Sequence, residues 1–107
     1  MSKVIEIVNF KIKKQYDRSA FLKANQSMAQ FLEEQPGMLT RSLCLNEETN
    51  AWVDIVYWQN MALALAAQEA FMQSPLCVDF GDQIDKQSVT IQHIKIMSES
   101  MTESQIA

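Results

Sequence analysis

A single histidine, His93, sits among apolar residues in the run SVTIQHIKIM (residues 88–97). Imidazole is the side chain best matched to moving a proton near neutral pH. Asp54 stands inside a second apolar run, AWVDIVYW (residues 51–58), which closes on Trp58. Side chains alternate across a strand, so Asp54 and Trp58 share one face, and His93 shares its own with Val89 and Ile91. Arg41 falls with Leu39 and Leu43, and Asn9 with Ile5 and Ile7. If these faces look into one interior, Asn9, Arg41, Asp54 and His93 form a polar cluster in an apolar cavity, the usual form of a ligand site. His93 and Asp54 are then the candidate catalytic residues, one as base and the other orienting it or holding its charge. Asn9, Arg41 and Trp58 are candidate substrate-binding residues. A plainer reading stands beside this one. A strand histidine can be purely structural, and an Arg41–Asp54 ion pair can fix strand register without chemistry.

Other chemistries lack their residues. There is no glycine-rich phosphate loop, no nucleophile elbow and no histidine pair for zinc. Cys44 and Cys77 do not make a CxxC pair, and one histidine does not complete a metal set with them. They read as two reduced thiols, and no metal or cofactor is expected. Trp52 and Tyr57 are expected to pack, and the seven methionines to fill gaps. The formal net charge of −4 argues against nucleic acid, whose binders carry a basic stripe. Lys11, Lys13 and Lys14 read as a solvated strand end, and Tyr16 as a loop residue within reach of a cavity mouth. With no apolar run of membrane-spanning length and no signal-peptide pattern, the expectation is a soluble cytoplasmic protein.

The elements that must position these residues follow from periodicity. A length of 107 residues fits one domain, here 1–97, with a polar tail over 98–107. VIEIVNFKI (residues 4–12) reads as a strand. Asp17 can cap a helix over 17–35, with Phe21, Ala24, Met28, Phe31 and Leu32 on one face, and Pro36-Gly37 stops it. Residues 38–45 and 51–58 make a hairpin about the polar turn NEETN. Asn60 can cap a second helix whose apolar stripe is Met61, Ala64, Leu65, Gln68, Phe71 and Met72. Ser74-Pro75 opens a short helix to about Asp85, and residues 88–97 form the last strand.

This β-α-β-β-α-β order gives an α+β, ferredoxin-like fold with an antiparallel sheet. Right-handed connections place both main helices on one side of that sheet. Val8, Phe10 and Ile12 oppose Ile5, Ile7 and Asn9, and Val53, Ile55 and Tyr57 oppose Trp52, Asp54, Val56 and Trp58, so both faces are apolar. The uncovered face calls for a second sheet from an identical chain. The sequence places Asn9, Arg41, Asp54 and His93 on that paired surface, which makes pairing the condition for a site.

The element order, Pro36-Gly37-Met38 leading the second strand, Trp58 closing the third just before a helix (YWQNMALA), and Asn9 in the first strand resemble the dimeric α+β barrel superfamily. Its antibiotic-biosynthesis-monooxygenase-like group is the nearest in kind, and the resemblance spans residues 4–97. It implies a homodimer that binds a small molecule inside each barrel. Some members oxidise aromatic polyketides without metal or flavin. Others degrade heme with an Asn, a Trp and a helical His. Asn9 and Trp58 match two of those three, but Gln68 and Glu69 stand where the histidine is expected, so the heme branch lacks its ligand.

Three functions remain: a cofactor-independent monooxygenase acting on a small aromatic or conjugated substrate, a non-catalytic ligand-binding or stress-associated barrel, and a structural dimer with a filled centre.

Overall fold

Strand β1, Val4–Ile12, is the spine of the sheet. The computed structural model describes residues 2–101 and places β1 between β3, Ala51–Trp58, and β4, Ile84–Lys95. Strand β2, Met38–Asn46, flanks β3, giving the order β2-β3-β1-β4 with every neighbouring pair antiparallel. Helix α1, Arg18–Glu33, links β1 to β2, and α2, Met61–Phe71, follows β3. This is the ferredoxin-like α+β arrangement that the element order predicts.

The caps behave as expected. The Asp17 carboxylate accepts the Ala20 N–H at 2.8 Å and the Asn60 side-chain oxygen accepts the Leu63 N–H at 2.9 Å, each satisfying a backbone donor left free at a helix start. Helix α1 buries Phe21, Ala24, Met28, Phe31 and Leu32. Gly37, with φ of +83°, turns the chain from α1 into β2. A Cβ there would run into the Leu63 side chain of α2, so both the backbone angle and the close approach require glycine. The core centres on Phe21, whose ring meets those of Phe10, Trp52 and Phe80 edge-on or tilted, with centroids 4.7–5.6 Å apart.

Four elements differ from the sequence expectation. In α2 the buried residues are Ala64 and Ala67, while Met61, Leu65 and the following Met72 are exposed. Small alanines let this helix lie near the sheet, whereas the larger side chains of the expected stripe would hold it off. The expected helix from Pro75 to Asp85 is a 3-10 turn, Pro75–Cys77, followed by the five-residue α3, Val78–Asp82. Strand β4 then begins at Ile84, which pairs with Ile12, and contains a bulge: β1 advances from Asn9 to Lys11 while its partner shifts from Thr90 to Asp85. That irregularity breaks the alternation that would have shown the strand start. In β2, Leu39 is likewise the extra residue of a bulge and is 43% exposed, so it does not share the buried side of Arg41 and Leu43. Of the expected tail, residues 98–101 have no regular structure, and 102–107 lie outside the described residues.

Candidate functional site

The helices cover the face of the sheet that carries Val4, Glu6, Val8 and Phe10 of β1 and Trp52, Asp54, Val56 and Trp58 of β3. Between that face and the helices lies a cavity of about 200 Å3. Its floor includes Val8, Phe10 and Val56, and its roof includes Met28, Phe31 and Phe71. The polar groups on its wall are few: Glu6, Asp54, Trp58, Gln68 and Lys86. Gln68, Lys86 and Ile91 are exposed members of the lining, so the cavity opens beside β4.

Register explains which side chains meet. Glu6 stands opposite Val56 on one side and His93 on the other, and Val56 stands opposite Arg41. Asp54 stands opposite Val8 and Leu43 in the next row. Arg41, Asp54, Trp58 and His93 therefore all project to the helix-covered face. Asn9, opposite Val53 and Thr90, projects to the other face. The sequence expectation of one four-residue cluster on the paired surface is thus corrected on two points. Asn9 is separated from the other three by the thickness of the sheet, and the cavity is formed within a single chain.

One ion pair and one histidine–carboxylate contact line this face. Arg41 donates from Nε to Asp54 Oδ1 and from Nη2 to Asp54 Oδ2, both at 2.8 Å, and from Nη1 to Asn25 Oδ1 at 2.7 Å. Both partners of the pair are over 90% buried, at 9% and 7% side-chain exposure, and the guanidinium lies 5.6 Å from the centre of the Phe80 ring. A two-pronged geometry of this kind satisfies a buried carboxylate almost completely. Asp54 is therefore held by Arg41 and not, as the sequence allowed, by His93.

The histidine has another partner. His93 Nε2 lies 3.0 Å from Glu6 Oε2, and Trp58 Nε1 donates to Glu6 Oε1 at a longer 3.4 Å. An ionised carboxylate can only accept, which assigns the donating N–H to the imidazole. Both side chains are largely buried, with 15% and 13% exposed. Glu6 is not among the candidate residues of the sequence reading. Its signal was its parity: it alternates with Val4, Val8 and Phe10, all on the buried side of the central strand.

The remaining expectations fall elsewhere. Tyr16 borders a separate groove with Lys11, Lys13, Lys14 and Arg18 at the far end of β1, away from the cavity. Gln68, at the position where a heme-degrading relative would carry histidine, does reach the cavity wall. Cys44 is exposed and Cys77 buried, both as free thiols, and burial pushes the Cys77 thiol above its ordinary pKa. Among the described residues no group of acidic, histidine and cysteine side chains could hold a metal, and no helix is long and apolar enough to cross a membrane.

Several solved structures share this fold. SnoaB, a cofactor-independent oxygenase from Streptomyces nogalater, superposes with a TM-score of 0.64 over 96% of this chain and 99% of its own, at 16% identity. Rv0793 from Mycobacterium tuberculosis gives 0.67 over 94% and 100%, at 16% identity. A Caulobacter crescentus protein assigned to the antibiotic biosynthesis monooxygenases gives 0.70 over 91% and 92%, at 12% identity. No family model matches the chain, and no curated relative does. At these identities the similarity is one of fold.

Proposed function

We propose that this protein is a cofactor-independent monooxygenase that acts on a small aromatic or conjugated substrate within the single-chain cavity. The observation that carries the reading is the cavity itself: aromatic and aliphatic walls around a small set of paired, buried polar groups, in the fold that SnoaB also has. Apolar walls of this kind select a flat, uncharged ring system. In such chemistry the protein removes a proton and holds the resulting anion while the substrate itself reduces oxygen. For a quinol the balance closes without a further reductant: quinol and O2 give a hydroxyquinone and water. His93 belongs to the proton-accepting corner, Trp58 is its wall and hydrogen-bond donor, and the Arg41–Asp54 pair is the fixed charge beside it. Asn9 has no part in this cavity.

The opposite face fits a second copy of the chain. Ile5, Ile7, Ile55, Tyr57 and Ile94 form an apolar surface that no helix of the same chain covers. Face-to-face pairing of two such sheets would bury it. Asn9 then lies at the pairing surface.

Oxygen uptake by the metal-free, flavin-free protein with a panel of naphthalene and benzene quinols tests the reading. Uptake matched by formation of hydroxyquinone supports it. Binding without uptake would leave a ligand-binding barrel, and neither binding nor uptake would remove the cavity from consideration.

A further inference from the structure

We infer that Glu6 is the catalytic base of this cavity, with the corollary that the substrate presents a hydroxyl group on its aromatic ring toward Glu6. This rests on the monooxygenase reading for the step that follows proton removal, but the contact with Glu6 does not.

The other lining groups are eliminated by their chemistry. Gln68 is an amide and takes no proton near neutral pH. Lys86 is an exposed member of the lining, and a lysine ammonium is a donor without a lone pair for a proton. Asp54 does border the cavity, but protonating it would discard a two-pronged bond to Arg41 and leave a buried guanidinium unpaired. His93 is not itself on the cavity wall; it stands behind Glu6. Glu6 remains. Its carboxylate uses one lone pair on each oxygen, for Trp58 and for His93, which leaves acceptor capacity on the side open to the cavity. Both of those partners are N–H donors, so a proton taken at Glu6 strands no buried guanidinium as it would at Asp54.

The step is simple in its balance. The O–H bond of the substrate breaks, an O–H bond forms on Glu6, and the electron pair stays on the substrate oxygen as an aryloxide. His93 is the positioning residue. It fixes the carboxylate against the wall, and its place on the sheet-edge strand β4, with 15% of its side chain exposed, leaves water able to collect the proton after turnover. Trp58 fixes the other oxygen and closes the floor.

Calorimetric titration of the full chain with 2-naphthol and with 2-methoxynaphthalene tests the contact without any turnover. The two have nearly the same apolar surface, and only the first can donate to Glu6. A hydrogen bond to a charged acceptor is worth about tenfold or more in affinity, so 2-naphthol should bind about tenfold more tightly. Glu6→Gln should shrink that preference to about twofold. Equal affinities in the unmodified protein, no binding of either compound, or a preference unchanged in Glu6→Gln would each overturn the inference. If Glu6→Gln does not fold, His93→Gln and His93→Leu carry the same comparison. The first keeps an N–H against Glu6 and should keep the preference, and the second should lose several-fold of it; no difference between them would count against the role of His93. A 2-naphthol preference without oxygen uptake from any quinol sinks the monooxygenase reading and leaves Glu6 standing. Full oxygen uptake in Glu6→Gln does the reverse.

Discussion

The two faces of one sheet, built from the same four strands, have taken opposite solutions to the same alternation. On the inner face every second residue of β3, from Trp52 to Trp58, is buried, and the two enclosed carboxylates, Asp54 and Glu6, each have a partner. On the outer face the neighbouring residues Val53, Ile55 and Tyr57 are only half-buried, and the rows from Ile5 to Asn9 with their cross-strand partners carry no charged side chain. Charge has been placed where it can be fully paired in an enclosed space. The surface left bare is flat and uncharged, which is what a second sheet can cover without stranding an ion. On the proposed reading, reactivity and association fall to opposite sides of a single layer.

The difference can be broken most severely from the inside. Arg41→Met should cost about 3 kcal/mol in urea denaturation, because Asp54 would stay buried without its counter-charge. Arg41→Met combined with Asp54→Leu should cost clearly less than the single change, since no charge is then stranded. A double variant as unstable as the single one would show that packing, not charge, decides the cost.

A change of similar chemical violence on the outer face should do much less to the folded chain. Ile55→Asp is expected to alter the stability of an isolated subunit by under about 1 kcal/mol while abolishing pairing, as read by sedimentation at micromolar concentration. Retained pairing in Ile55→Asp would refute the outer face as the contact surface. The mildest contrast lies between the thiols. Cys44 on β2 is exposed, whereas burial both shields Cys77 and raises its pKa, so less of it is thiolate at any pH below that value. Iodoacetamide at pH 8 should modify Cys44 in the native subunit and Cys77 only on unfolding, and equal rates would argue against a closed core around Cys77.

Much of this was legible from the residues alone. Asp17, Asn60 and the Pro36-Gly37 step marked helix limits because capping and left-handed turns need particular side chains. The parity of β1 and β3 was equally plain. Parity does not say which face the helices will take, however, and with apolar residues on both sides it could not decide. The bulky Phe10, Trp52 and Trp58 settle it, since they fill the three-dimensional gap under α1 and α2. Ala64 was read into the stripe of α2, but Ala67 was left out because small residues give a weak hydrophobic signal even when they are buried; Ala67 is 5% exposed. The candidate site was half readable. Arg41, Asp54, Trp58 and His93 do share a face, but their pairing depends on register across four strands, and bulges at Leu39 and after Asn9 hide that register. Glu6 passed unnoticed for the same reason, as its partner is remote in sequence.

That remoteness has its own consequence for how the chain is made. Glu6 and His93 are 87 positions apart, and the strand that carries Glu6 lies between the two strands that follow it latest. On the ribosome β1 emerges before either neighbour, and one of its hydrogen-bonding edges must wait unpaired until β4 has been synthesised. Such non-local pairing slows folding and lengthens exposure to wrong partners. The cavity corner formed by Glu6 and His93 is therefore among the last features the nascent protein can assemble, and a chain that holds it has already completed its sheet.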